Sequence, residues 1–166
     1  MAGRREALLD YLTCRTEDPA FRDTVFTGPN PNAVKLDPLI CERPMQFTGY
    51  DAFGVHWTEA QPASHRTPGQ KPVLEDIGDW ASLPVPDVDR FPWDSLQAPA
   101  QEGRRQDLLV SVTLLTGPFE RATVLMDFED CLVAALTEPE EFSGLMGRLC
   151  DYKIAQIRRI CRAAHP

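Results

Sequence analysis

Long hydrophobic runs are missing from this chain. No segment approaches the roughly 20 consecutive apolar residues that a membrane-spanning helix needs. The amino terminus, MAGRREALLDYLTC, lacks the apolar stretch of a secretory signal. We therefore expect a cytoplasmic protein that makes no contact with a membrane.

An excess of positive charge is also missing. The chain carries 17 Lys and Arg residues against 25 Asp and Glu residues, which gives a formal net charge of -8. A sequence-independent grip on nucleic acid depends on a broad basic surface that displaces counterions. We therefore expect no nucleic-acid partner.

Cysteine spacing excludes two further classes of protein. The cysteines are Cys14, Cys41, Cys131, Cys150 and Cys161. They are odd in number and contain no CxxC pair, which argues against a disulfide scaffold and against a structural zinc site. We expect most of them to be buried thiols, and we expect no metal site within this chain.

Residues 107–136 form the most informative stretch. The apolar run over residues 108–115 predicts a strand of a parallel sheet that is covered on both faces. Gly117 then breaks the run, and Glu120 and Arg121 follow where a strand hands over to a helix, the edge at which α/β folds bind ligands. The alternative is an ordinary turn, with Glu120 as the acidic charge of a helix amino terminus and Arg121 as a surface cation.

A second informative segment covers residues 47–59. Its aromatic residues include Tyr50, Phe53 and Trp57. One interpretation is that Asp51 projects a carboxylate into a pocket walled by these rings, where it binds N–H or cationic groups of a ligand. In the other interpretation the rings anchor a loop, and Asp51 and Gly54 form a turn. A third alternative is a metal held by Asp51, His56 and Glu59.

The rest of the first half is rich in proline, with 12 of the 15 prolines at residues 19–99. Proline removes hydrogen-bond donors and fixes φ, so we expect loops, short helices and edge strands there. Leu74, Ile77 and Trp80 suit one short helical turn. A short amphipathic helix is predicted before this region, at residues 4–12, and an exposed connector after it, at residues 97–105.

Helices are predicted for the remainder of the chain. Residues 122–126 and 128–136 read as two short helices or one bent helix, with Leu125, Phe128, Leu132 and Leu136 on a common side. Thr137 is expected to cap a long helix that begins near Pro139. The apolar stripe predicted for the core face of that helix contains Met146, Cys150, Ile154, Ile157, Cys161 and Ala164, widened by Phe142, Leu145 and Leu149.

Three motifs occur in an order and spacing that resemble a known family. They read DAFGVHW at residues 51–57, LLTGPFERA at residues 114–122 and LMDFED at residues 125–130. The chain resembles the amino-terminal half of the uroporphyrinogen decarboxylase superfamily, especially bacterial decarboxylase-like and corrinoid-linked methyltransferase-like members.

The resemblance implies an α/β fold, namely the amino-terminal portion of a (β/α)8 TIM barrel with a proline-rich, loop-rich first half. It implies one incomplete domain over residues 1–166, with a helix and an irregular region at 1–106 and strand, loop and helices at 107–166. Because the family's methyltransferases take their zinc ligands largely from the second half, corrinoid or zinc is expected only with a complementary half, and no cofactor is expected within this chain.

The resemblance also implies site residues. The catalytic candidates are Asp51, Glu120 and Arg121, and the candidates for substrate contact are Phe53, Trp57, Gly117 and Phe119. In the family's decarboxylases an aspartate binds pyrrole N–H groups, and Asp51 is the nearest match. The tyrosine that those enzymes carry after the loop is absent from residues 121–125, which favours a methyltransferase-like or uncharacterised branch.

Two functions from different classes follow. In the first, the chain is part of a lyase or methyltransferase acting on a tetrapyrrole or methyl-donor ligand, is truncated or split, and is inactive without a complementary chain. In the second, it is a non-catalytic binding or assembly module whose exposed sheet edges pair with another copy to form a homo-oligomer.

Overall fold

The computed structural model describes residues 3–16, 33–36, 48–58, 70–114 and 116–165. The α-helices in these ranges are α1 (Arg4–Leu12), α2 (Gln97–Arg105), α3 (Pro118–Leu125), α4 (Phe128–Thr137) and α5 (Pro139–Ala164). The strands are β1 (Ala33–Leu36), β2 (Gly49–Tyr50), β3 (His56–Trp57) and β4 (Leu109–Val112). Short 3-10 helices cover Ile77–Ser82, Val88–Arg90 and Trp93–Leu96.

Contacts divide the chain into two compact units. The first contains Met1–Pro38, Pro92–Leu114 and Arg158–Pro166, and the second contains Leu39–Phe91 and Leu115–Ile157. Among the described residues the strands form two separate two-stranded sheets and no closed barrel. The partial TIM barrel and the single incomplete domain therefore stay predictions.

The first unit is built on a parallel strand pair. β1 and β4 align in register from Ala33 beside Leu109 to Leu36 beside Val112, so the prediction of a parallel strand in the apolar run is confirmed. Val110 is buried, but the other residues of β4 are only partly covered. The prediction of a strand covered on both faces is therefore wrong for the described part of the chain.

Residues 97–105 form the helix α2, so the expected exposed connector is wrong. Pro99 lies in the first helical turn, where its missing N–H has no intrahelical partner to lose. Ala100 and Gly103 are buried one turn apart, and a Cβ at Gly103 would collide with the side chain of Val34. The polar composition of α2 thus conceals a contact face made of small residues.

The core of the second unit combines the aromatic segment with all three later helices. Its buried residues are Phe53, Val55, Trp57, Leu74, Ile77, Leu83, Ala122, Val124, Leu125, Met126, Cys131, Ala134, Leu145, Leu149 and Tyr152. The predicted short turn is confirmed as the 3-10 helix Ile77–Ser82, which starts where the Asp76 carboxylate accepts the Gly78 N–H at 2.8 Å. The Leu74 N–H donates to the Leu125 carbonyl oxygen at 3.0 Å and ties this segment to α3.

The two short helices are confirmed as α3 and α4, but their common apolar side is wrong. Leu125 is buried, whereas Phe128, Leu132 and Leu136 are exposed. The chain leaves the helical conformation at Met126. The helical periodicity of α3 therefore does not continue into α4, and the two helices bury sides that their sequence spacing alone does not relate. The helix α4 turns Cys131 and the small Ala134 toward the core instead.

The long helix α5 begins at Pro139 as predicted. Thr137 does not cap it, because its hydroxyl donates to the Val133 carbonyl oxygen at 3.0 Å within α4. The buried side consists of Leu145, Leu149, Tyr152, Gln156, Ile160 and Ala164. The predicted stripe is confirmed at Leu145, Leu149 and Ala164, and Phe142 and Met146 pack partly buried against the core. It is wrong at Cys150, Ile154, Ile157 and Cys161, which are exposed and lie about one residue, or roughly 100° around the helix axis, from the buried positions.

Candidate functional site

A tight turn between β2 and β3 positions Asp51. The two strands pair antiparallel, with Tyr50 beside His56. The Asp51 N–H donates to the Val55 carbonyl oxygen at 2.9 Å, and the Gly54 N–H donates to the Asp51 carbonyl oxygen at 3.0 Å. Gly54 has a φ of 83°, a conformation that side chains disfavour. The turn role predicted for Asp51 and Gly54 is confirmed.

The Asp51 carboxylate accepts four hydrogen bonds. Its Oδ1 accepts the backbone N–H groups of Phe53 and Val55, each at 2.9 Å. Its Oδ2 accepts Trp57 Nε1 at 3.0 Å and Arg121 Nη1 at 2.6 Å. A carboxylate offers about four lone-pair positions, so the protein itself supplies a full set of donors to Asp51.

Arg121 reaches this turn from α3, seventy positions further along the chain. It is 2% exposed, so its interpretation as a surface cation is wrong. Its guanidinium carbon lies 4.6 Å from the centroid of the Phe53 ring, within the range of a cation–π contact. The buried cation therefore has an anionic partner in Asp51 and an aromatic partner in Phe53.

Two further residues extend this cluster, and sequence reasoning missed them as site residues. The Tyr152 ring meets Phe53 edge to face, with centroids 5.0 Å apart and planes at 80°. Gln156 is fully buried, and its Nε2 donates to the Tyr152 hydroxyl oxygen at 2.8 Å. One signal in the sequence could have found Gln156. It is a polar residue that lies one helical turn after Tyr152 and one turn before Ile160, on the same face of α5.

We name the cluster of Asp51, Phe53, Trp57, Arg121 and Tyr152 the aspartate–arginine cluster. Its charges are opposite and adjacent, and their burial removes them from the screening effect of water. Separating such a pair is costly, because it leaves an uncompensated charge in the interior. The arrangement fixes the turn at residues 51–55 to α3 and stacks aromatic rings around the contact.

Glu120 lies outside the aspartate–arginine cluster. Its Oε2 accepts the Gly117 N–H at 2.7 Å, which caps the amino terminus of α3. The interpretation of Glu120 as a helix-terminal charge is confirmed, and Arg121 pairs with Asp51 instead of Glu120. Phe119 lies at the same end of α3 and is 42% exposed. Among the candidates for substrate contact, it is therefore an aromatic residue whose ring is accessible to solvent.

The histidines and cysteines show no assembled metal centre within the described ranges, where no three His, Cys, Asp or Glu side chains are grouped to hold an ion. His56 packs edge-on against Tyr50, with ring centroids 4.9 Å apart. Glu59, the third residue of the metal alternative, lies outside the described residues. Asp51, the first, faces Trp57 and Arg121.

The expectation of mostly buried thiols is wrong for the four cysteines that the structure describes. Cys14, Cys150 and Cys161 are exposed, and only Cys131 is buried. Burial raises the pKa of the Cys131 thiol. Cys41 lies outside the described residues.

No helix in the described part of the chain has the length and apolar character to cross a bilayer. Comparisons with protein-family models, with curated proteins and with solved structures found no match for this chain.

Proposed function

We propose that this chain is the amino-terminal part of a uroporphyrinogen decarboxylase-like enzyme, of the decarboxylase or the corrinoid-linked methyltransferase class. In this proposal it works in the cytoplasm, contributes one wall of a pocket for a tetrapyrrole or methyl-donor ligand, and needs a complementary chain. One observation supports the proposal above the others. Two of the three motifs that carry the resemblance, at residues 51–57 and 114–122, meet through the 2.6 Å contact between Asp51 and Arg121.

The geometry sharpens the roles of the proposed catalytic residues. Asp51 binds an indole N–H and a cation, the same kinds of group that a tetrapyrrole or a cationic methyl donor offers. A ligand N–H group reaches the Asp51 carboxylate only by replacing Trp57 or Arg121 as donor, since four hydrogen bonds already occupy it. We therefore give Asp51 and Arg121 a positioning role in the wall, and Glu120 the role of fixing the start of α3.

Phe119 is the ligand-contacting residue that this proposal singles out. Its ring is exposed in the first turn of α3, two positions before the buried Arg121. A flat apolar ring suits stacking on a single pyrrole ring of a tetrapyrrole, which contributes binding energy beyond simple area burial. Phe128 offers a matched control, because it is an exposed phenylalanine of the neighbouring helix α4, 56% exposed against 42% for Phe119.

The experiment measures binding and turnover by the purified chain. The probes are uroporphyrinogen III under reducing anaerobic conditions and methylcobalamin with a small thiol as the methyl acceptor. Binding is followed by tryptophan fluorescence and turnover by product chromatography. We expect the chain to bind one of the two probes without turnover. The Phe119→Ala substitution is expected to raise the dissociation constant at least about tenfold, which corresponds to the loss of one aromatic contact. Phe128→Ala is expected to bind as the unmodified chain does.

Three results would contradict the proposal. Turnover by the isolated chain removes the need for a complementary chain. Absence of binding for both probes removes the pocket wall. Equal binding by the Phe119→Ala and Phe128→Ala variants removes Phe119 from the ligand contact.

A second candidate function is the non-catalytic assembly module. It is favoured by the exposed apolar residues of α4, which are Phe128, Leu132, Val133 and Leu136, the last of them 84% exposed. A group of exposed apolar side chains on one helix often marks an interaction surface, whereas single exposed apolar residues do not. The module predicts that the chain binds neither probe and that Leu136→Glu reduces its self-association in light scattering. Probe binding by an unassociated chain would exclude it.

A further inference from the structure

The exposed side of α5 carries a regular apolar seam. Its members are Cys150, Ile154, Ile157 and Cys161, spaced by four, three and four residues. Ile154 is 43% exposed and Ile157 is 46% exposed, although α5 already buries a different side of its surface. An alternation of three and four residues keeps side chains in line along a helix and is the spacing of a coiled-coil seam.

The charges beside the seam distinguish between the two directions in which a second α5 helix can pair with it. In an antiparallel pair with a two-fold axis between positions 155 and 156, Ile154 lies opposite Ile157 of the second copy. Asp151 then lies beside Arg158 of the second copy, so each of the two contacts joins opposite charges. In a parallel pair Lys153 would approach Arg158 of the second copy, which places like charges together.

We propose that the chain forms a reversible homodimer through α5, with the seams of two copies packed antiparallel about this two-fold axis. Asp151 and Arg158 are exposed, and neither has an ion-pair partner among the residues that the structure describes. Both charges are thus available to a second copy. The same side chains supply both halves of the interface, as two-fold symmetry requires.

The length of the seam sets the expected strength. From Cys150 to Cys161 the helix rises about 16 Å, so the contact belongs to the small interfaces that associate weakly. We expect a dissociation constant of roughly 10–100 μM, typical of a contact below the standard interface area. This dimer does not depend on the proposed enzymatic role, because none of its residues belongs to the aspartate–arginine cluster.

The first test is sedimentation equilibrium of the full chain over about 5–500 μM, a range that brackets the expected dissociation constant. Ile154→Lys places a charge in the centre of the seam and is expected to weaken association at least about tenfold. Leu12→Lys is the matched control, since Leu12 is also 43% exposed but lies in α1. Circular dichroism of each variant checks that the helices remain folded.

The second test exchanges the charges. Asp151→Arg and Arg158→Asp each create two like-charge contacts in the antiparallel dimer, and each is expected to weaken association about tenfold. The variant carrying both substitutions restores opposite charges and is expected to associate within about threefold of the unmodified chain.

Each alternative outcome would overturn the inference. A monomeric mass throughout the concentration range excludes the dimer. A dimer that survives Ile154→Lys but is lost with Leu136→Lys places the contact on α4. Tighter association of the Arg158→Asp variant indicates the parallel pairing, because Lys153 would then meet an aspartate of the second copy. Failure of the double variant to restore association excludes the contact between Asp151 and Arg158.

Discussion

Asp51→Asn removes one negative charge from the aspartate–arginine cluster while leaving the size of the side chain almost unchanged. The amide oxygen can still accept the N–H groups of Phe53 and Val55, which Oδ1 accepts at 2.9 Å in the native protein. The amide nitrogen is a donor, however, and it would face two other donors, Trp57 Nε1 and Arg121 Nη1. The substitution therefore leaves a buried guanidinium without its counter-charge.

The expected loss follows from the burial of the pair. Breaking a buried ion pair by removing one partner costs about 3–5 kcal/mol. Because asparagine keeps two of the four hydrogen bonds, we expect the lower end, about 3 kcal/mol in the free energy of unfolding. For a chain of this length that corresponds to a fall in the melting temperature of roughly 6–12 °C.

The assay is urea denaturation followed by tryptophan fluorescence and by circular dichroism, with a thermal scan as a second measure. The matched control is Glu75→Gln, which neutralises the acid of the exposed Lys71–Glu75 ion pair. Exposed pairs contribute about 0–1 kcal/mol, so this control should change stability little. Equally small losses in the free energy of unfolding for the Asp51→Asn and Glu75→Gln variants would refute the inference that the Asp51 carboxylate is buried and fully hydrogen-bonded.

The partner substitution provides an independent check. Arg121→Met leaves the Asp51 charge buried and is expected to cost about 3–5 kcal/mol by the same reasoning. The variant that combines Asp51→Asn with Arg121→Met should lose at least about 1 kcal/mol less than the sum of the two single losses, since neither charge is then left alone. Additive losses would show that the two side chains do not interact.

Two further predictions concern packing and pH. Gly144→Ala should destabilise the protein by about 1–3 kcal/mol, because a Cβ there would lie 2.5 Å from the Trp80 ring. Gly147→Ala, with no neighbouring atom within 4 Å, should stabilise it by about 0.5–1 kcal/mol through helix propensity; the same sign for both in urea denaturation would contradict this. Burial raises the pKa of Cys131, so the preference of the fold for the neutral thiol is fully present below the unfolded-state pKa and is lost as the pH rises above it through the folded pKa. Relative to Cys131→Ala, the unmodified chain should therefore lose stability faster with rising pH in the alkaline range, and parallel stability curves would contradict the buried thiol.

The sequence by itself determined the elements whose signals are local. Pro139 marked the start of α5, and the apolar run marked β4 as a parallel strand. The break at Gly117 was also visible, although α3 begins at Pro118, four residues before the predicted start. The turn at Asp51 and Gly54 was also readable, because it depends on the conformation of neighbouring residues alone.

The tertiary structure alone decided which side of each helix is buried and which distant residues meet. Periodicity shows that α5 has an apolar stripe, but it leaves the rotation of the helix open when apolar residues lie on two sides, and packing selected the side with Leu149 and Tyr152. Likewise, nothing local in the chain pairs Arg121 with Asp51. A buried arginine needs an acceptor that pairs with its charge, and an aromatic face adds a cation–π contact. The fold brings both to Arg121 from a turn about seventy positions earlier in the chain.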